Sequence, residues 1–130
     1  GIFNVEVDDK PIKNWHVTTF PLDNVEQVKN FQMSTFNPGN QVSGPILLRT
    51  TFKVEGNPLD TYLDTSGWGK GVAYVNGHNL GRYWPTTGPQ ITLYVPSVWL
   101  KPGENELVVL EFEYVPEVRR MTFLDSPNLG

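Results

Sequence analysis

The sequence contains no cysteine, and this absence removes several kinds of chemistry. Without thiols the chain cannot form disulfide bonds, use a cysteine nucleophile or build a zinc–thiolate site. The absence does not identify a compartment, because a domain of 130 residues can be stable without disulfide bonds. The two histidines, His16 and His78, are far apart and lack metal-ligand spacing, so we expect no transition-metal site.

The sequence also lacks a long apolar run and a cluster of basic residues. No stretch approaches the roughly 20 apolar residues that span a bilayer, so we predict no membrane partner. The ten lysines and arginines are scattered in a chain of net charge −4, whereas nucleic-acid-binding domains present a basic stripe. We therefore predict no nucleic-acid partner. The length suits a single domain, which we place at 1–130.

The strongest local signals lie between Asp64 and Pro96, where glycines, tryptophans and an Asn-Gly pair occur together. Asn76 and Gly77 separate two β-prone runs. A type I′ turn requires positive φ at both central residues, which Asn tolerates and Gly adopts freely, so we predict a hairpin with this pair as its structural turn. Gly81 interrupts the return strand, as at a bulge. We expect close backbone approaches at the glycines at 67, 69 and 71.

Short alternating runs continue along the rest of the chain. Residues 46–54 alternate over nine positions, as expected for a strand with one buried face. The nearly continuous apolar run Leu107–Phe112 indicates a central strand. Alternation from Phe3 and a second strand at Trp15–Phe20 predict an initial hairpin. A short helix is predicted near residues 23–30, with Asp23 as its cap, followed by a mobile loop over 32–45.

These elements predict the fold class. About nine short strands, turns every 8–12 residues and one short helix indicate an all-β protein. We expect an antiparallel two-sheet β-sandwich of jelly-roll type, because this topology closes two sheets over one core.

Four successive motifs resemble the last β domain of glycoside hydrolase family thirty-five β-galactosidases, most closely the animal lysosomal type. They are WGKG at 68–71, VNGHNLGRYW at 75–84, GPQ at 88–90 and TLYVP at 92–96. Segments 15–22, 107–113 and 121–130 are also similar to that domain, so the resemblance covers nearly the whole chain.

The resemblance implies a fragment of a larger multidomain enzyme, a retaining exo-β-galactosidase. The catalytic barrel of such enzymes supplies both catalytic glutamates, and no family motif transfers either of them to this chain. The resemblance therefore implies a non-catalytic accessory domain that packs against the other domains of its parent and lines the substrate cleft at most with a rim residue. It also implies a lysosomal or secreted location.

Glutamates near the carboxyl end also fail to indicate catalysis. Retaining glycosidases hold two carboxyl groups about 5–5.5 Å apart. Glu111 and Glu113 share one strand face about 7 Å apart. We expect them, with Glu104 and Glu106, on turns and solvated strand edges, with a buried Phe112 between the last two, and we predict no catalytic residue.

The alternative function is an autonomous galactose-binding module or lectin. Such a site needs an aromatic plate and planar polar groups. The candidates are Trp68, Asn79, Arg82, Tyr83, Trp84 and Trp99, with Asp64 and His78 nearby in sequence. If the domain only packs, we expect Trp68 and Trp84 to cover the sheet end or a neighbouring domain and Arg82 to pair with a carboxylate. Packing predicts an apolar patch without a concave polar pocket, whereas a lectin predicts a pocket with an exposed tryptophan.

A structural calcium is the remaining cofactor to consider. Asp60, Asp64, Thr65 and loop carbonyls offer hard oxygen ligands, but no spaced acidic loop indicates a site. We therefore predict no metal and no cofactor.

Overall fold

The computed structural model describes residues 3–19, 21–22, 25–32, 34 and 42–130. Within these ranges the chain forms eleven strands and two 3₁₀ helices, which span Val25–Asn30 and Ser97–Trp99. The strands are β1 Glu6–Val7, β2 Lys10–Pro11, β3 Val42–Ser43, β4 Ile46–Val54, β5 Thr61–Asp64, β6 Gly71–Val75, β7 His78–Tyr83, β8 Thr92–Val95, β9 Gly103–Glu111, β10 Tyr114–Val115 and β11 Thr122–Leu124.

Two antiparallel sheets form a sandwich. The large sheet has the strand order β4-β9-β6-β7, and the small sheet has the order β11-β5-β8. Between β4 and β9 the chain repeatedly crosses from one sheet to the other. The two sheets share one core, which contains Leu63, Leu93 and Val95 of the small sheet and Ala73, Val75, Leu107 and Val109 of the large sheet. The predicted all-β sandwich of jelly-roll type is confirmed.

The long strands occupy the predicted places. β9 lies between β4 and β6, so the apolar run is central as expected. β4 pairs with β9 over nine residues, from Ile46 opposite Glu111 to Val54 opposite Gly103. Leu48 packs on the main core, whereas Leu47 packs on a second cluster outside the large sheet. This split follows from the two-residue period of a strand.

The central hairpin follows from its turn. Asn76 has φ 48° and Gly77 has φ 83°, the positive values that a type I′ turn requires. The β6–β7 register shifts because Ala73 lies opposite Gly81 and Tyr74 opposite Asn79. Leu80 is therefore the extra residue of a β-bulge, next to Gly81 with φ 112°.

The initial hairpin is tighter than predicted. Asp8 and Asp9 both have positive φ, so the chain reverses within two residues and β2 starts at Lys10, opposite Val7. A second strand at 15–20 is wrong for residues 15–19, which form no strand; Phe20 lies outside the described residues. The early return leaves this later segment without a partner strand.

The predicted short helix is a 3₁₀ helix. Its three residues per turn place Val25 and Val28 on one side, where both are buried against Tyr74 and Val108. The proposed cap Asp23 lies outside the described residues, as does most of the predicted loop at 32–45. Within that loop, Val42–Ser43 form β3 and pair with β10.

Candidate functional site

A fully buried carboxylate lies at one end of the large sheet. Glu111 ends β9, and its Oε1 accepts hydrogen bonds from the backbone N–H groups of Lys70 at 3.0 Å and Glu113 at 2.8 Å. Oε1 also accepts from the N–H of Tyr114 at 3.3 Å, and Oε2 accepts from the Tyr83 hydroxyl at 2.8 Å. Each oxygen of this buried side chain thus has a hydrogen-bond partner inside the protein.

The predicted solvated position of Glu111 is wrong. Glu111 lies on the same face of β9 as Leu107 and Val109, which point into the core. The two-residue period of an interior strand was the sequence signal that could have predicted the burial of Glu111. The expectation of a buried Phe112 is also wrong, because this residue follows the strand and is 41% exposed.

Tyr83 and Gly71 complete this buried centre. Burial raises the pKa of the Tyr83 hydroxyl, and the hydrogen bond to the Glu111 carboxylate and its negative charge raise it further. Gly71 lies opposite both residues in the sheet. A Cβ there would lie 2.5 Å from the Tyr83 hydroxyl and 2.1 Å from the backbone oxygen of Leu110, so only glycine fits.

Charged side chains and one tryptophan lie next to this centre. Lys70 Nζ is 3.5 Å from Glu113 Oε1 and 4.2 Å from the ring centroid of Trp84. Arg82 Cζ is 5.6 Å from the same centroid, which places two cations near one partly exposed indole. The predicted carboxylate partner of Arg82 does not occur in the described part of the chain.

The opposite end of the hairpin is held by two asparagines. Asn76 Nδ2 donates to the Trp99 carbonyl at 2.7 Å and to Asn105 Oδ1 at 2.8 Å, and Asn76 Oδ1 accepts from the Glu106 N–H at 2.9 Å. The buried Asn105 side chain also donates to the Lys101 carbonyl. The Trp99 ring stacks on His78 at 4.8 Å. The turn residue Asn76 therefore positions the segment that carries Trp99.

A polar concavity of about 510 Å³, here called the Trp99 basin, lies beside this end. Trp99 is partly exposed there. Arg49 and Glu106 form an ion pair of 2.5 Å in its wall. The other charged lining residues are Glu26, Lys29, Lys101 and Glu104.

The six sugar-binding candidates do not form one site. Trp68 is 4% exposed in the core, where its Nε1 donates to the Arg120 carbonyl at 3.0 Å, so its ring is not available to another domain. Tyr83 is also buried, and a sugar can reach neither ring. Arg82 and Trp84 are separated from Trp99 by the length of β6, about 13 Å for four steps of a strand. Asn79 is exposed at the bulge, where its Oδ1 accepts from the Gly81 N–H. Sugar binding stays a prediction for the four accessible residues.

The candidate calcium ligands have partners within the chain. Asp60 accepts from the Ser97 N–H at 2.8 Å and the Tyr94 hydroxyl at 2.7 Å, and these bonds lower the pKa of Asp60 in that order. Asp64 accepts from Ser66, and the hydroxyl of the buried Thr65 donates to the Ile91 carbonyl. Among the described residues no three His, Asp or Glu side chains are grouped to hold an ion.

A second surface is apolar and uncovered. Residues 3–19, here called the N-terminal arm, are exposed except for the partly buried Val5. Phe3 is fully exposed, Trp15 is 60% exposed and Val17 is 81% exposed. Together with Ile12 they line a groove of about 580 Å³. Exposed apolar side chains that lie together in this way are typical of interaction surfaces.

The two helices of the described ranges have six and three residues, and neither could span a bilayer. The family model described as "Beta-galactosidase, galactose-binding domain" matches residues 45–105. This segment begins just before β4 and reaches into β9, so it contains most of the large sheet and the hairpin.

Curated relatives extend the similarity over most of the chain. Beta-galactosidase 17 of Arabidopsis thaliana is 42% identical over 123 residues, which cover 85% of this chain and 18% of the relative. Beta-galactosidase-1-like protein 2 of Homo sapiens is 34% identical over 99% of this chain and 20% of its own length. Beta-galactosidase of Homo sapiens is 31% identical over 99% of this chain and 22% of its length. The chain thus spans about a fifth of the relatives it matches.

Proposed function

Because this chain belongs to the family of β-galactosidase galactose-binding domains, we propose that it is the non-catalytic C-terminal accessory domain of a retaining exo-β-galactosidase. In this proposal the chain is one domain at 1–130, its partners are the other domains of the same enzyme, and catalysis belongs to a separate barrel. The length of the relatives supports a larger parent, since the match to each covers only about a fifth of it.

The carboxylates of the chain support a non-catalytic role. Both oxygens of Glu111 are occupied by hydrogen bonds inside the protein, and Glu113 faces Lys70. A retaining glycosidase instead presents two accessible carboxyl groups to its substrate. We expect the purified chain to release no product from a synthetic β-galactoside. Release that survives removal of contaminating enzymes would contradict the proposal.

The N-terminal arm is the single observation that carries the packing role. Its apolar side chains are exposed, and among the strands of the described ranges β1 and β2 pair only with each other. Covering such a surface is favourable by about 25 cal/mol for each Å² of apolar area that is removed from water. We infer that the arm, rather than Trp68, packs against the neighbouring domain of the parent enzyme.

Aspartate substitutions in the arm test this role. In the isolated chain, Trp15→Asp and Val17→Asp should change the free energy of unfolding by less than about 0.5 kcal/mol, because these side chains are exposed. In the longer enzyme the same changes should lower the melting temperature by several degrees. Leu59→Asp is the matched control, since Leu59 is 78% exposed outside the arm. Equal effects of all three substitutions in the longer enzyme would refute docking through the arm.

The Trp99 basin supports a second candidate function, carbohydrate binding. It combines a partly exposed tryptophan with charged, planar hydrogen-bonding groups such as Arg49 and Glu106. Galactose or lactose should then produce saturable changes in tryptophan fluorescence and amide NMR shifts. Trp99→Ala should abolish them, and Trp84→Ala should not. Loss only in Trp84→Ala would place the sugar beside Arg82, and the absence of saturable binding would reject this candidate.

The cellular location is also a proposal. We propose a lysosomal or secreted location, because the motifs at 68–96 resemble the animal lysosomal type of the family. Co-staining of the tagged full-length protein with a lysosomal marker, together with assay of the culture medium, tests this. A signal confined to the cytosol would contradict it.

A further inference from the structure

The turn pair Asn76 and Gly77 has a chemical property besides its conformation. Asparagine is a thermolabile residue, because the backbone nitrogen of the next residue can attack its side-chain Cγ and expel the amide nitrogen. Glycine hinders this attack least, since it has no Cβ. Asn76 is the only asparagine in the sequence that precedes a glycine. The sequence therefore has one preferred position for deamidation.

Three hydrogen bonds hold the side-chain amide of Asn76 in the folded chain. Its Oδ1 accepts from the Glu106 N–H at 2.9 Å. Its Nδ2 donates to the Trp99 carbonyl at 2.7 Å and to Asn105 Oδ1 at 2.8 Å, so both amide hydrogens are engaged. Attack by Gly77 N makes Cγ tetrahedral and expels Nδ2. The fold opposes the reaction, because these bonds break on the way.

The buried Asn105 side chain determines which atom belongs at each place in this network. Asn105 Oδ1 also accepts from the Lys101 N–H, and Asn105 Nδ2 donates to the carbonyls of Lys101 and Gly103. A backbone N–H only donates and a carbonyl only accepts, so turning over the amide of Asn76 or Asn105 would bring like groups together. The place of Asn76 Nδ2 therefore requires a donor.

We propose that Asn76 is a modification site, where the fold blocks deamidation, opening of the hairpin releases it, and the product disconnects the segment that carries Trp99. Gly77 N bonds to Cγ and gives up its proton. The Cγ–Nδ2 bond then breaks, and Nδ2 leaves with that proton as ammonia. Water opens the resulting five-membered imide, and the product is aspartate or isoaspartate.

Neither product fits the folded network. In aspartate a carboxylate oxygen replaces Nδ2 and faces two acceptors, the Trp99 carbonyl and Asn105 Oδ1. In isoaspartate the main chain gains a carbon atom and no longer fits a two-residue turn. Either product releases the 3₁₀ helix Ser97–Trp99, which lies beside the Trp99 basin. The modification does not depend on whether the basin binds a sugar.

Reaction rates in the folded and the unfolded chain test the block. The full chain is incubated in mildly alkaline buffer with and without urea, and peptide mass spectrometry follows conversion of the amide to a carboxyl group. The rate at Asn76 should be about a hundredfold lower in the folded chain, because three hydrogen bonds each contribute roughly a factor of five. Equal rates in both states would overturn the block. Faster reaction of another asparagine in urea would overturn the site.

Aspartate substitutions test the product. Asn76→Asp should raise the equilibrium constant of unfolding about a hundredfold and speed amide hydrogen exchange in 97–100. Asn79→Asp is the matched control, because Asn79 is exposed on the same hairpin and its Oδ1 accepts from the Gly81 N–H, as a carboxylate oxygen also can. It should change this constant less than about twofold.

The deamidated wild-type chain, separated by ion exchange, provides a second measurement of the product. It should show the same faster exchange in 97–100 as Asn76→Asp. Equal destabilisation by Asn76→Asp and Asn79→Asp would reduce the effect to the added charge and overturn the proposal. Unchanged exchange in 97–100 of the deamidated chain would overturn the disconnection of the Trp99 segment.

Discussion

Removing the Glu111 side chain should destabilise the chain far more than removing that of Glu113, two residues away. Glu111→Ala leaves the N–H groups of Lys70, Glu113 and Tyr114 and the hydroxyl of Tyr83 without their acceptor. Each buried group without a partner costs about 1–3 kcal/mol, and broken buried networks typically cost about 3–5 kcal/mol in total. That loss is a large part of the roughly 5–15 kcal/mol that stabilises a domain.

Urea unfolding at pH 7, followed by tryptophan fluorescence, measures this difference. Glu113→Ala is the matched control and should cost less than about 1 kcal/mol, because it removes only a partly exposed ion pair with Lys70. Glu111→Gln should fall between the two, since one oxygen still accepts from the backbone. If Glu111→Ala costs no more than Glu113→Ala, the buried carboxylate does not hold this end of the sandwich together.

Three further predictions concern the same fold. Gly77→Val should cost about 1–2 kcal/mol in thermal unfolding, because a β-branched residue is strained at φ 83°; unchanged melting would count against the turn. Tyr83 keeps its proton in the folded state where the unfolded chain releases it, so the free energy of unfolding should fall by about 1.4 kcal/mol per pH unit above about pH 10. Tyr83→Phe should lack this component, and identical alkaline profiles would refute it. The pKa of Asp60 is lowered in the folded state, so its contribution to the free energy of unfolding should be present above about pH 4 and be lost as the pH falls further. Asp60→Asn should remove this contribution in acid titrations of stability. An unchanged acid profile of the variant would contradict the prediction.

The two proposed functions use different surfaces, and the structure contains both. An apolar patch without a polar concavity was expected for a packing domain, and a concavity with an exposed tryptophan was expected for a lectin. The N-terminal arm fits the first expectation and the Trp99 basin fits part of the second. Packing through the arm and binding in the basin are therefore compatible in one molecule, and the aspartate and alanine variants test them separately.

Local sequence determined the elements of this fold. The hairpin follows from Asn76 and Gly77, because the φ values of a two-residue turn depend on the residues that form it. Alternation of apolar and polar residues predicted the long strand at 46–54, which has one buried face. Continuous apolarity predicted the central strand, which is covered on both faces. The motifs at 68–96 likewise were sufficient to indicate the family, which the family model and the curated relatives bear out.

Only the tertiary structure decided which of these side chains are accessible. The strand period puts Glu111 on the core face of β9, but only the structure shows that the strand ends there, that Glu113 lies beyond it and that Gly71 and Tyr83 lie opposite Glu111. Trp68 enters the core, while Trp84 lies beside Arg82 and Trp99 beside His78, near opposite ends of β7. Burial depends on the strand or loop that packs over a position, and that element comes from a distant part of the chain. The turn residues and the periodicity of a strand do not show which distant strand or loop packs over it.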